Sequence, residues 1–341
     1  MINEAHKILR YFPPEMAHNL AIAGLKISGD LLPLQGPRLG SEQDFVGLKF
    51  LNPIGLAAGL DKDAKALLGL ARLGFGHIEV GTVTPKPQPG NPKPRLFRIR
   101  ESEALINRMG FNNEGVKSMV GRLEKIRREN LLGSTVLGVN LGKNKSTPNE
   151  RAVEDYLTCM KDVGSLADYF TLNLSSPNTP GLRELQYGET LRKLLTEFKE
   201  GQLALAQDVA AKPIFIKIAP DLSEKELDQI AAVFLETKID GLIATNTTLS
   251  RIPELDHRHL SETGGMSGRP LFDLSLCVLK NMRARLGQDH LIIAVGGIDS
   301  KERAQKMMDS GANLLQIYTS FIYKGTKIVH ELIDSSIKSL E

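Results

Sequence analysis

Eight short apolar runs punctuate the chain, at residues 53–58, 77–81, 136–141, 169–174, 214–218, 241–245, 291–295 and 314–318. Amphipathic stretches such as 223–236 and 300–310 lie between them and are long enough for a helical crossover. Strands that alternate with helices pair in parallel, because each crossover returns the chain to the same end of the sheet. Eight such units predict an α/β fold of the (β/α)8 TIM barrel type in preference to an open doubly wound sheet. The doubly wound alternative lacks its dinucleotide fingerprint. Gly74-Phe75-Gly76-His77-Ile78-Glu79 begins like one, but Glu79 stands where the third glycine belongs and the segment precedes a strand. It reads as a tight helix-to-strand turn.

A length of 341 residues admits two average domains or one large barrel. The net charge of +3, with no dense basic block, gives no reason to expect a nucleic-acid partner. Cys159 and Cys277 are far apart and outside any CxxC spacing, which predicts two reduced thiols in a cytoplasmic setting. The seven histidines show no HExxH or comparable spacing, so no metal is expected. No apolar run reaches the 18 residues that a bilayer-spanning helix needs.

A barrel places its chemistry at the C-terminal ends of its strands. Those ends read Gly59 with Asp61-Lys62, then Gly81-Thr82, Asn140, Asn173, Lys217, Thr245-Asn246, Gly296-Gly297 and Tyr318-Thr319. Glycines, amides, hydroxyls and lysines suit one large polar ligand with donors and acceptors around its edge. Gly296-Gly297 and the loop Thr263–Pro270 would bring backbone N–H groups close to a phosphate, although turns alone account for many such glycines. Lys217 sits inside the apolar run 214–219, and a buried ammonium needs an anion. The segment Asn173-Leu174-Ser175-Ser176-Pro177-Asn178-Thr179-Pro180-Gly181 has hydroxyls and amides but no cysteine or carboxylate. Ser176 is either a weak base that needs activation or a turn hydroxyl before Pro177.

Two segments stand outside the repeat. Between residues 81 and 136 an insert, at about 84–115, opens with a proline-rich stretch and continues as a hairpin at 95–99 and 104–106. It leads into Asn107–Asn113, a substrate lid or a cluster of turn formers. At the other place, residues 1–40, Ile2, Ile8, Leu9 and Phe12 line one side of a short helical pattern that stops at Pro13-Pro14. Met16, Leu20, Ala23 and Ile27 define a second, which Gly29 and the region 33–37 should end. Acidic and polar residues interrupt the apolar run, so it is not read as a signal peptide. The two helices either cap the main domain, 41–341, or lie with their apolar face in a membrane interface. Residues 1–40 carry four Lys/Arg and three Asp/Glu, so lipid binding there would be mostly hydrophobic.

Taken together, Gly59-Leu60-Asp61-Lys62, Asn107–Phe111, Asn173–Gly181, Lys217–Pro220, Ala244–Thr248, Gly264–Arg269 and Val295–Ile298 closely resemble dihydroorotate dehydrogenase, in its membrane-associated, quinone-reducing class. The resemblance spans nearly the whole chain. It implies FMN as cofactor, oxidation of dihydroorotate to orotate in pyrimidine biosynthesis, and a membrane quinone as electron acceptor. FMN contacts would fall on Ala58, Gly59, Leu60, Asp61, Lys62, Thr82, Asn140, Asn173, Lys217, Thr245, Gly268, Gly297, Tyr318 and Thr319. Substrate contacts would fall on Lys62, Asn107, Arg108, Met109, Gly110, Phe111, Asn173, Asn178, Asn246 and Thr247. Ser176 would be the catalytic base, with Thr179 or a water as its relay. The serine, where soluble relatives typically carry cysteine, and the N-terminal helices point to the quinone class. Those helices would form an apolar tunnel with His18 and Arg98 as quinone contacts, and peripheral attachment to the cytoplasmic side of the cell membrane.

Two other functions compete. An FMN barrel oxidising a 2-hydroxy acid would want a histidine base at a strand end, and none of the eight ends offers one. A non-catalytic, phosphate-binding barrel that docks on membranes explains the glycines, but leaves Lys217 and the Asn173–Asn178 cluster without a purpose.

Overall fold

In the computed structural model, residues 8–31, 38–179, 181–251 and 257–338 are described. Eight parallel strands close into a barrel: β1 (Ile54–Leu56), β2 (His77–Val83), β3 (Val136–Leu141), β4 (Tyr169–Asn173), β5 (Ile214–Ile218), β6 (Gly241–Ala244), β7 (Leu291–Val295) and β8 (Leu314–Ile317). Each pairs with its sequence neighbour, and β8 returns to β1 with Ile317 opposite Leu56. Every one of the eight apolar runs is therefore a barrel strand. Their ends differ by a residue or two: β1 is shorter than 53–58, and β2 continues through Thr82 to Val83.

The interior is packed. On β1 and β3, glycines make room for large neighbours: a Cβ at Gly55 would lie 2.1 Å from the His77 ring, and one at Gly138 would lie 2.1 Å from the Tyr169 ring. Those rings, with Phe215, fill the lower barrel, and Tyr169 packs on Phe215 at 4.5 Å between centroids. A hairpin of Gln43–Phe45 and Leu48–Phe50 closes the bottom by placing fully buried Phe50 edge-on to His77. Both ring nitrogens of His77 are buried without a partner, and desolvation draws its pKa down to about 3. A second apolar layer, including Leu70, Phe170, Phe198 and Phe234, joins the strands to the surrounding helices.

The expected hairpin of the insert is present as Leu96–Ile99 and Ala104–Asn107. It gains a third strand, Gly265–Gly268, antiparallel to Ala104–Asn107. This corrects the reading of Thr263–Pro270 as a glycine loop throughout. Its glycines serve close packing: a Cβ at Gly265 would meet Thr247 Oγ1 at 1.9 Å, and one at Gly268 the Glu103 carbonyl at 2.2 Å.

Helix α1 (Pro14–Leu31) realises the second N-terminal pattern and runs past Gly29. Gly29 does not end it, because it is the crossing point with α2 (Leu67–Ala71): a Cβ on Gly69 would lie 2.0 Å from the Leu25 carbonyl oxygen. Arg72 caps the contact through Nη2 to the Gly29 carbonyl at 2.7 Å. The first pattern is described only from Ile8 onward, and residues 33–37 lie outside the described residues. Arg95, itself buried, binds α1 to the insert, donating to Glu15 at 2.8 Å and to the Asn91 carbonyl at 3.0 Å. Among the described residues no helix is long and apolar enough to cross a membrane.

Candidate active site

The loops that follow the strands are tied to one another before any ligand is considered. Gly59 N–H donates to the Gly81 carbonyl at 2.8 Å and Gly81 N–H to that of Asp61 at 3.1 Å, which joins the ends of β1 and β2. Thr245 N–H donates to the Val295 carbonyl and Asn246 N–H to that of Ile218, both at 2.8 Å. The Asp61 carboxylate accepts from Lys65 N and Ala66 N, while burial pushes its carboxyl up to about 6. Arg183 connects three loops, donating to the Ser175 carbonyl at 3.2 Å, to the Thr247 carbonyl at 2.9 Å and to Asp221 at 2.8 Å. The partners of Arg183 come from distant parts of the sequence, so no local pattern marks it.

These loops surround one cavity at the C-terminal mouth of the barrel. Of the residues singled out in the sequence, Ala58, Gly59, Lys62, Thr82, Asn107, Met109, Gly110, Phe111, Asn173, Ser176, Asn178, Lys217, Thr245, Asn246, Thr247, Gly268, Gly297, Tyr318 and Thr319 line it. Leu60, Asp61, Asn140 and Arg108 lie outside that lining. Leu60 faces a second cavity, and Asn140 sits below the floor, fully buried. Arg108 pairs with Glu262 at 2.7 Å and lies over the Phe97 ring at 4.6 Å.

Inside the cavity the polar groups interlock. Ser176 is buried, and its Oγ accepts from Asn178 N–H at 3.2 Å. Asn178 Nδ2 donates to Asn107 Oδ1 at 3.3 Å, which brings the insert onto the loop after β4. Asn246 Nδ2 donates to Asn173 Oδ1 at 3.3 Å and to Ser175 Oγ at 3.0 Å. Thr179 is buried near this loop, but among the described residues no hydrogen bond joins it to Ser176.

Two lysines bring charge. Lys62 touches the cavity yet lies deep enough that desolvation lowers its pKa to about 8, with Asp63 acting the other way. Burial likewise draws Lys217 below the ordinary lysine range, opposed by Glu79. Buried cations of this kind are poised for an anion. The Gln316 side chain, absent from the sequence expectations, lines the same cavity with a buried Oε1 that has no partner. Gly296 and Gly297 are closed to any side chain: a Cβ would meet Ser275 Oγ at 2.1 Å and Phe272 Cα at 2.6 Å. A buried Lys217, a half-buried Lys62, an orphaned amide oxygen and glycine-lined walls fit a flat, polar, phosphate-bearing group such as FMN.

A second cavity, of about 1100 Å³, lies between α1 and the barrel. Its walls are mostly apolar, with Leu9, Phe12, Ala17, Leu20 and Phe321 among them, and both His18 and Arg98 line it. Arg98 Nη1 donates to the Arg10 carbonyl at 2.9 Å. His18 is held to a pKa of about 3 by desolvation and then by Lys62, so its ring is neutral. His18, Leu96, Glu103, Leu105 and Tyr318 border both cavities, which makes them neighbours across one thin wall.

Residues 41–340 match the family model described as dihydroorotate dehydrogenase. A curated relative from Shewanella sp. (strain ANA-3), named dihydroorotate dehydrogenase (quinone), is 47% identical over 335 residues, covering 97% of each chain. One of the same name from Aliivibrio fischeri (strain MJ11) is 48% identical over 325 residues, 94% of this chain and 95% of its own. Among solved structures, that of DHODH from Eimeria tenella in complex with ferulenol superposes with a TM-score of 0.89. It has 42% identity and covers 96% of this chain and 92% of its own.

Proposed function

Since the chain belongs to the dihydroorotate dehydrogenase family, we propose a residue-by-residue account of how its barrel mouth performs that family's reaction. The protein is a quinone-dependent dihydroorotate dehydrogenase, an oxidoreductase of pyrimidine biosynthesis that converts dihydroorotate to orotate. The observation that carries the account is the convergence on one cavity of Ser176, four asparagine amides and two deeply set lysines, next to a large apolar cavity under α1.

FMN, held by Ala58, Gly59, Lys62, Thr82, Asn173, Lys217, Thr245, Gly268, Gly297, Tyr318 and Thr319, would supply the two-electron redox chemistry that no side chain here possesses. Leu60, Asp61 and Asn140 support that set from behind. The substrate carboxylate is an anion, and Lys62 offers it a cation in a low-dielectric setting. Amides carry a donor and an acceptor on one plane, which suits the alternating edge of a pyrimidine. Asn107, Asn173, Asn178, Asn246 and Thr247, which line the cavity, would read that edge, with Met109, Gly110 and Phe111 covering it. Arg108 would act indirectly, by pinning the insert to Glu262.

Ser176 Oγ takes the proton that leaves substrate carbon. A serine hydroxyl is a poor base, so its own proton must move on as the new one arrives. The Asn178 N–H donated to Oγ leaves that oxygen's hydroxyl hydrogen free to point at a relay, either Thr179 or a water. Lys217 meets negative charge as it gathers at the cavity floor.

Electrons leave toward quinone, whose apolar body fits the cavity lined by α1, with His18 and Arg98 as polar contacts. Ile8, Tyr11, Met16, Leu20, Ile27 and Leu31 are exposed on this segment, an apolar surface that fits peripheral attachment to the cytoplasmic side of the membrane. Anaerobic addition of dihydroorotate to purified, FMN-loaded protein should bleach the flavin absorbance, and a quinone should restore it. Protein that takes up no FMN, or keeps its colour with dihydroorotate, would refute the proposal.

A further inference from the structure

One ionisable group beneath the site has no part in the reaction as described. Glu79 projects from the middle of β2 and has no solvent exposure. Its Oε1 accepts from Asn140 Nδ2 at 2.7 Å. Its Oε2 accepts from Thr171 Oγ1 at 3.1 Å, and from Tyr169 OH and Gln316 Nε2, each at 3.2 Å. Four convergent donors fit an ionised carboxylate, which can only accept.

The consequence passes upward. Asn140 must turn its NH2 group to Glu79, so its Oδ1 faces the site, where it accepts from Thr82 Oγ1 and from Asn173 Nδ2 at 3.1 Å. Asn173 has then committed its NH2 downward, and its Oδ1 is left to accept from Asn246 Nδ2. Each amide has one donating and one accepting end, so a carboxylate at the foot fixes the sense of the whole chain. Glu79 is also the carboxylate that acts on Lys217.

We propose that Glu79 is a positioning residue: it sets which way Asn140, Asn173 and Asn246 present donors and acceptors, and its charge holds down the reduction potential of bound FMN. This rests on the FMN site proposed above. FMN held by Asn173 and Lys217 would gain electrons near the buried negative charge to which both are linked, and that charge would oppose them. A unit charge acting over about 10 Å at an effective dielectric constant of about 20 is worth roughly tenfold in an equilibrium constant.

The test compares Glu79→Gln and Tyr169→Phe in FMN-loaded protein by anaerobic potentiometric titration, together with the dissociation constant of FMN from the apoprotein. Glu79→Gln removes the charge and keeps the shape. Its new NH2 can face two rotatable hydroxyls and Gln316, whose Oε1 lacks a partner, so Asn140 keeps its direction. Its midpoint should move positive by ~30 mV, a roughly tenfold change for a two-electron couple, with tighter FMN binding. Tyr169→Phe strips one donor from the carboxylate but keeps the charge, so its midpoint should move negative by a smaller step. A merely structural role would move both variants the same way or move neither, and either result overturns the inference. Should Glu79→Gln fail to fold, Tyr169→Phe still decides by its sign: an unchanged or positive midpoint is contrary. Wild-type protein that binds no FMN would sink the function itself, and this inference with it.

Discussion

In the proposed substrate site Ser176 would take the proton and Lys62 would meet the charge. Replacing Ser176 with alanine removes the base without touching the lysines, and a positioned general base is worth about 10²–10⁴-fold. Flavin reduction by dihydroorotate should slow by that much with FMN still bound; rapid-mixing traces as fast as the wild type would remove Ser176 from its role. For Lys62 the sign follows from its lowered pKa. Desolvation brings the free site to about 8, so the cation is present below that pH and lost above it. The value of kcat/KM for the anionic substrate should therefore fall as pH rises through about 8, and a profile flat to pH 10 would contradict it. At this scale Asn173, Ser176 and Lys217 were legible as polar residues where apolar runs stop. Glu79 leaves no such mark, because a carboxylate inside an apolar strand reads in the sequence only as a broken glycine fingerprint. Asn140, expected at the cofactor from its strand end, divides its amide: Nδ2 goes down to Glu79 and Oδ1 faces Thr82 and Asn173.

Among the elements, the strands were the most legible, since buried parallel strands are continuous apolar runs bounded by turn residues. The third strand at Gly265–Gly268 was hidden by its own glycines, which read as a loop and instead allow close packing against Thr247 and Glu103. Helix α1 outran its expected end because tertiary packing at Gly29 and Gly69 overrode glycine's local preference. That crossing is testable. Gly69→Val would push a side chain into the Leu25 carbonyl and shift α1, so KM for quinone should rise while flavin reduction by dihydroorotate holds; unaltered quinone kinetics would show the crossing to be dispensable. The hairpin below the barrel makes a stability statement. Phe50→Ala would empty the plug over His77 and should cost about 3–5 kcal/mol in denaturant unfolding, as large aromatic truncations in cores do. A loss under about 1 kcal/mol would mean that the bottom of the barrel closes without it.

For the whole molecule, two cavities share a wall that includes His18 and Tyr318, and the proposed account would divide the labour between them, polar chemistry in the barrel mouth and apolar exchange under α1. Beside exposed Arg10, Asn19, Lys26 and Asp30, the α1 segment exposes six large apolar or aromatic side chains, Ile8, Tyr11, Met16, Leu20, Ile27 and Leu31, and residues 1–40 have nearly balanced charge. Attachment to lipid vesicles should accordingly survive high salt, and release from vesicles by salt alone would show that charge, not apolar burial, holds the protein there. The most direct measurement follows the two half-reactions separately in protein lacking residues 1–30. Dihydroorotate should bleach its flavin as in the full chain, and quinone should no longer restore the colour. Quinone reoxidation at the full-chain rate would contradict the account.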